Sequence, residues 1–388
     1  MENGIIPVIK RELKLMVSRP IYIMMTIIIP LIIILFFSTF LNNGMPSDLP
    51  IGIVDLDNSS TSRLITRNLD AGQVCEIEYK LSSFEQAQDQ MQRENIYAFV
   101  LIPRNFQADL LSGKNPQIVF YTEYAHYLAG SAAMKEINTI LVTMSSGVNL
   151  KIRLAKAEDK AKAMANIQPI KIDSHLIGNP LMNYSYYLSS IIMPGIIFLM
   201  SLICSIYAIG TELKFQTSPN WLHASGGSLS KALLGKLLPY TLIYSIMLVF
   251  SYVIMERVLG FPTKGNILLM FGGSVMTIIA YQAAGIFIIG VLPMLRDALS
   301  VGAFYGVLGF TLTGFTYPNF AMLPAVKPFT LLYPLTQYYT LYANIQINGL
   351  SLNESYMPYL ALLAFVILPL TIIKRLKSAC INLDFKRE

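Results

Sequence analysis

The sequence predicts an α-helical membrane protein of six transmembrane helices with an inserted α/β extracytoplasmic domain, on three observations. Of its 388 residues 54% are hydrophobic and only 13% are charged, against roughly 25% charged in an ordinary soluble domain. Uncharged apolar runs at 21–41, 187–209, 237–255, 267–291, 299–315 and 356–373 suit the crossing of about 30 Å of hydrocarbon. Between the first two runs, residues 42–186 hold 13 basic and 15 acidic residues, the density of a water-facing domain, and alternate strand-like with helix-like segments.

Residues 1–20 read as a cytoplasmic interfacial helix. Ile5, Ile9, Leu13 and Met16 share a helical face that Lys10, Arg11 and Lys14 avoid, the pattern of a helix lying in the membrane interface. The run 21–41 follows Arg19-Pro20 and is longer than a signal-peptide core. Phe40-Leu41-Asn42-Asn43-Gly44 offers no small-x-small cleavage site, so an uncleaved transmembrane helix is expected.

Within 42–186 strands are expected at 51–55, 74–80, 97–103 and 116–121. Asp57-Asn58-Ser59-Ser60 and Ser83 supply N-caps for two helices, and residues 106–111, stopped by Gly113, make a third. Residues 125–166 lack proline and could form one helix of roughly 60 Å. His126 and His175 have no Cys, His or carboxylate companions at ligand spacing. Asp55 and Asp57 could be a metal or acid/base pair, but ending a strand and capping a helix is the simpler role. The domain reads as a binding or docking module, and no catalytic or metal site is expected. Cys75, Cys204 and Cys380 are too scattered for a disulfide framework or a zinc site.

Residues 187–373 carry helices 2–6, with a connecting loop at 210–236, and residues 374–388 form a basic tail. With the N-terminus inside, cytoplasmic pieces carry thirteen Lys and Arg, from Lys10 to Arg387, and the short outer loops carry Arg257, Lys264 and Lys327. Retention of positive residues on the cytoplasmic side then places both termini inside. The net charge of +6 is thus a topology signal; no basic run with interleaved aromatics suggests a nucleic-acid partner.

The loop Gly210-Thr211-Glu212-Leu213-Lys214-Phe215-Gln216-Thr217-Ser218-Pro219-Asn220-Trp221-Leu222, with Gly235-Lys236 beyond it, resembles an element of ABC-2 type permeases, the membrane subunits of a class of ATP-driven exporters. Glu212, Thr217, Leu222, Gly235 and Lys236 match that element by position. Lys214, Gln216 and Asn220 replace two glutamates and a glycine of the pattern, and Trp221 adjoins them. Weaker likenesses run along the chain: Arg11-Glu12, Val54 to Ser59, Ile102 to Phe106, Asn179 to Tyr184, and Met193-Pro194-Gly195. The resemblance implies a coupling helix docked on an ATPase subunit, with Glu212, Lys214, Thr217, Trp221, Leu222, Gly235 and Lys236 as coupling residues.

Residues 317–345, too apolar for a free loop and too broken by proline to span, read as a re-entrant hairpin. The similar family segment is an outer gate, here Gly314, Pro318, Pro324 and Pro334; an interfacial hairpin anchored by tyrosines is the competing reading. No phosphate-cradling loop is present, since Gly235-Lys236 is followed by Leu237. The predicted span cores carry no Asp, Glu, Lys or Arg, which argues against an ion-coupled carrier.

The implied function is a dimerising permease, paired with a second copy or a paralogue in the inner (plasma) membrane, for efflux of a drug-like, lipid-like or other amphipathic cargo. This chain would bind no cofactor, with ATP and Mg held by the partner ATPase. A periplasmic adaptor and an outer-membrane channel are optional further partners. A non-transporting mechanical transmitter or receptor is the alternative that the same architecture allows.

Overall fold

The computed structural model describes residues 4–42, 44–155, 159–167, 178–179 and 183–382. His175, Pro180, Leu181, Met182, Lys386 and Arg387 lie outside the described residues. The chain is an α-helical membrane protein with two compact units, one of Asn43–His175 and one of Met1–Asn42 with Leu176–Glu388.

The first is an α/β unit. Strands β1 (Leu49–Asp55), β2 (Cys75–Leu81), β3 (Ala98–Ile102) and β4 (Val119–Thr122) form one sheet in the order β2-β1-β3-β4. β1 runs parallel to β2 and β3, and β4 pairs antiparallel at the edge. Alternation along the strands sends Ile51, Ile53, Val100 and Ile102 to one face, against Ile65 and Leu69 of α3 (Ser60–Asp70) and Ala133 and Ile137 of α6 (Tyr127–Ala155). Val54 and Phe99 face the other way, against Ala87 of α4 (Phe84–Gln92). Burial on both faces explains why β1 and β3 read as continuous apolar runs.

Local chemistry sets the helix starts. Ser59 accepts from the backbone N–H of Ser62, whose hydroxyl answers the N–H of Ser59, a reciprocal cap on α3. Ser83 accepts from the N–H of Gln86 at the start of α4. A short helix, α5 (Phe106–Leu111), is followed by Gly113 at φ +79°. The single long helix expected over 125–166 is instead α6 and α7 (Lys160–Ile167). Asp159 accounts for the restart, because its carboxylate accepts from the N–H of Ala161 and its carbonyl from that of Ala163.

The helical unit opens with α1 (Ile5–Ser18) and α2 (Pro20–Phe40), and continues with α8 (Tyr184–Lys214), α9 (Ser218–Ala224), α10 (Leu229–Val258), α11 (Ile267–Val291) and α12 (Leu295–Leu312). Beyond α12 come a short helix α13 (Lys327–Thr330), then α14 (Pro334–Leu341), α15 (Leu352–Thr371) and α16 (Ile373–Asn382). Residues 178–179 and 183–186 belong to this unit, whereas the α/β insertion was expected to run to 186. The Asn179 side-chain amide donates to the Asn183 carbonyl and accepts from the Asn183 backbone N–H, both at 2.8 Å, and the Asn183 side chain caps α8.

Among the described residues five helices are long and apolar enough to cross a membrane: α2, α8, α10, α11 and α15. The sixth expected span, 299–315, forms α12, which has 18 residues and starts with Arg296 and Asp297 in its first turn. Its packed face is a stripe of small residues, Ala298, Gly302, Gly306 and Gly309. A Cβ on Gly302 would lie 2.4 Å from Ile206 Cδ1, and one on Gly306 2.1 Å from Leu199 Cδ1. Glycine therefore sets how closely α12 approaches α8, a small-residue contact of the kind membrane helices use.

The helices also reach further than the apolar runs. α8 ends at Lys214 and α10 begins at Leu229, so the loop expected at 210–236 shrinks to 215–228 with α9 inside it. That extension brings Glu212 and Lys236 into helices, where both are buried. The runs 187–209 and 237–255 themselves hold no charged residue.

Candidate functional site

The packed face of α1 is Val8, Glu12 and Met16, spaced four apart and all buried. Ile5 and Leu13, on the face expected to lie in the membrane interface, are 37% and 46% exposed. The helix has two apolar faces, and the one that meets protein contains a carboxylate. An acid on such a face needs a partner, and Glu12 has two: Lys236 Nζ donates to its Oε2 at 2.5 Å and the Tyr240 hydroxyl to its Oε1 at 2.6 Å.

Lys236 is fully buried and is shared. Its ammonium also donates to Glu212 Oε1 at 3.0 Å and lies 5.2 Å from the centroid of the Trp221 ring, within cation–π range. Glu212 is 3% exposed and takes a bidentate pair from Arg11, at 2.6 and 2.8 Å, as well as the Thr217 hydroxyl. Trp221 is anchored through Nε1 to the Ala232 carbonyl at 3.2 Å. Two acids and two bases balance, so the cluster buries no net charge, and the hydrogen bonds satisfy most of what burial costs.

Four elements meet here: α1 through Arg11 and Glu12, the end of α8 through Glu212, α9 through Trp221, and the start of α10 through Lys236 and Tyr240. Gly235 lets α1 and α10 approach, since a Cβ there would stand 2.8 Å from Val8 Cβ and 2.9 Å from the Ile5 carbonyl. α9 is also tied to the C-terminal helix, with the Ser218 hydroxyl donating to the Cys380 carbonyl at 2.8 Å. Burial raises the Cys380 thiol to about 12, with the charge of Glu212 adding to the rise.

The structure thus joins Glu212, Thr217, Trp221 and Lys236, with Gly235 and Leu222 packed beside them, and puts all but Thr217 out of contact with solvent. Lys214 points outward, as do Phe215, Gln216, Pro219, Asn220 and His223. Glu12 entered the sequence reading only within the Arg11-Glu12 likeness, and neither it nor Tyr240 was named as a coupling residue. The available signal was an acid four residues from Val8 and four from Met16.

The proline-broken segment has two dissimilar limbs. Phe320, Leu323 and Phe329 are more than half exposed, whereas Leu335, Tyr338 and Leu341 of α14 are fully buried. Gly314, at φ +86°, sits against the Asn319 side chain next to Pro318. Pro324 is exposed and Pro334 is the buried first residue of α14, so these four residues do not form one cluster. Tyr305 donates to the Leu332 carbonyl at 2.6 Å and Tyr187 to that of Phe315 at 3.0 Å.

In the α/β unit, Asp55 accepts from the backbone N–H groups of Asp57 and Asn58 and from the Ser62 hydroxyl, which is turn and cap chemistry. His126 packs edge-on against Tyr97.

The model of one protein family, described as ABC-2 family transporter protein, matches residues 20–373. No curated protein matches the sequence.

Proposed function

The chain belongs to the ABC-2 family of transporter proteins, and from that premise we propose that it is the permease subunit of an ATP-driven exporter. Two permeases, identical or paralogous, sit over two ATPase subunits that hold ATP and Mg. Both termini are cytoplasmic, the α/β unit lies outside the inner (plasma) membrane, and α12 is a sixth crossing of about 27 Å. The cargo is amphipathic, drug-like or lipid-like, and leaves past the segment 317–345, which serves as the outer gate. A periplasmic adaptor and an outer-membrane channel would extend the path.

The observation that carries this reading is the buried ion cluster below an exposed face. Phe215, Pro219, Asn220 and His223 are available to an ATPase groove, while Glu212, Trp221 and Lys236 fix the element beneath them to α1, α8 and α10. A push on α9 is therefore passed to two long helices through charged bonds rather than through a loose loop. The buried residues couple, and the exposed ones dock.

The test is capture of the ATPase with the purified permease. The double variant Phe215→Asp/Asn220→Asp is expected to lower capture about tenfold, the size of losing one well-packed contact, with unchanged thermal melting. Trp221→Ala is expected to lower both capture and melting temperature. Full capture by the double variant rejects the docking face. ATP-dependent flux of an amphipathic dye in vesicles separates an exporter from a transmitter that moves nothing.

A further inference from the structure

A cleft of about 730 Å³ opens at the carboxyl ends of the adjacent parallel strands β1 and β2. The cleft is lined by Arg63 and Arg67, one turn apart on α3, and by Lys80 and Ser82 at the end of β2. Asp55 and Asn58 close its β1 side.

Its polar groups are mostly committed, and its cations are not. The Asp55 carboxylate receives three hydrogen bonds from its own turn and cap, and the Ser82 hydroxyl donates to Gln86 at 2.8 Å. Arg63 donates only to the Asn58 carbonyl, at 2.7 Å. Among the described residues, Arg63, Arg67 and Lys80 form no ion pair, and all three are exposed. Two arginines four apart on one helix repel, and Asp55, held by its own turn and cap, is the one acid in the lining of the cleft. The cleft is net +2, in a stretch, 42–186, whose acids outnumber its bases.

We propose that this cleft binds a phosphate-type oxyanion, held by Arg67 and Lys80 with Arg63 closing the third side. Guanidinium groups match phosphate oxygens in bidentate geometry, and the ammonium adds a point charge. A free phosphoryl compound and a lipid headgroup present the same chemistry, so the experiment has an arm for each.

The intact chain in an uncharged detergent is titrated calorimetrically with inorganic pyrophosphate and, separately, with dihexanoyl phosphatidic acid. Saturable binding of at least one is expected, and whichever binds identifies the source. The variant Arg67→Gln/Lys80→Gln should weaken it by about tenfold or more, as loss of charge-assisted bonds requires. Lys151→Gln, an exposed charge elsewhere in the same unit, should leave it unchanged. The mutated side chains are exposed, so an unaltered melting curve verifies the fold of each variant. Saturation by neither ligand, or equal weakening by Lys151→Gln, overturns the proposal.

Discussion

Glu12 occupies a position that helical periodicity reserves for an apolar side chain, between Val8 and Met16 on the packed face of α1. Its cost is offset by Lys236 and Tyr240. A buried pair adds little net stability over a well-packed apolar replacement, but removing one partner strands the other charge at about 3–5 kcal/mol. Lys236→Met should therefore destabilise the detergent-solubilised protein by about that amount, and Glu12→Gln/Lys236→Met by clearly less than the sum of the two single variants. Additive losses in unfolding experiments would show that the two residues do not interact.

A second residue-scale case is Cys75, which begins β2 beneath the Glu136 carboxylate. That carboxylate accepts the backbone N–H groups of Gln73, Val74 and Cys75. Burial, with the Glu136 charge beside it, raises the thiol to about 12. The protonated thiol is thus favoured in the folded state. The resulting stability is complete below the unfolded value near 9 and is lost as pH rises from there through about 12. With Cys204 and Cys380 replaced by serine, maleimide labelling of Cys75 at pH 8 should be about a thousandfold slower than that of an unperturbed thiol. Glu136→Gln should speed it. Labelling at the ordinary rate would contradict this account.

At the scale of elements, the stripe Ala298, Gly302, Gly306 and Gly309 makes α12 a packing helix. Gly306→Val should cost about 1–3 kcal/mol by overpacking, and Leu199→Ala in the same chain should recover part of it by vacating the contact. A Gly306→Val melting curve identical to the parent would remove the α8 contact from consideration. Element boundaries were legible where the cause is local. Ser59 and Ser83 act three residues from where they stand, and Gly113 ends α5 by its own backbone. The break before α7 was missed because Asp159, not a proline, makes it. Helices α8 and α10 outrun the apolar runs because they carry charged residues near their ends, and a count of uncharged runs stops before such residues.

For the whole molecule, the division into a helical and an α/β unit was visible in the distribution of charge, and the order of strands and helices in the α/β unit followed from alternation and caps. The candidate site was legible only as an address. Residues 212–222 and 235–236 stood out, but the sequence presents them as a surface loop, whereas Glu212, Trp221 and Lys236 are internal. Which charge meets which is long-range information: Glu12 and Lys236 share neither a turn nor a helix, and no periodicity links them. The cationic cleft was equally hidden, since Lys80 joins Arg63 and Arg67 only when β2 pairs beside β1 and α3 packs against them.

The ion cluster also orders the birth of the molecule. Arg11 is synthesised 201 residues before Glu212, and Glu12 224 residues before Lys236. At ribosomal speeds of about 5–20 residues per second, the amino-terminal helix waits on the order of 10–45 s for its counter-charges. Until then neither Arg11 nor Glu12 can leave water with the partners found in the finished fold. α1 thus cannot be locked by these bonds until α10 has been made, with α11 to α16 still to come.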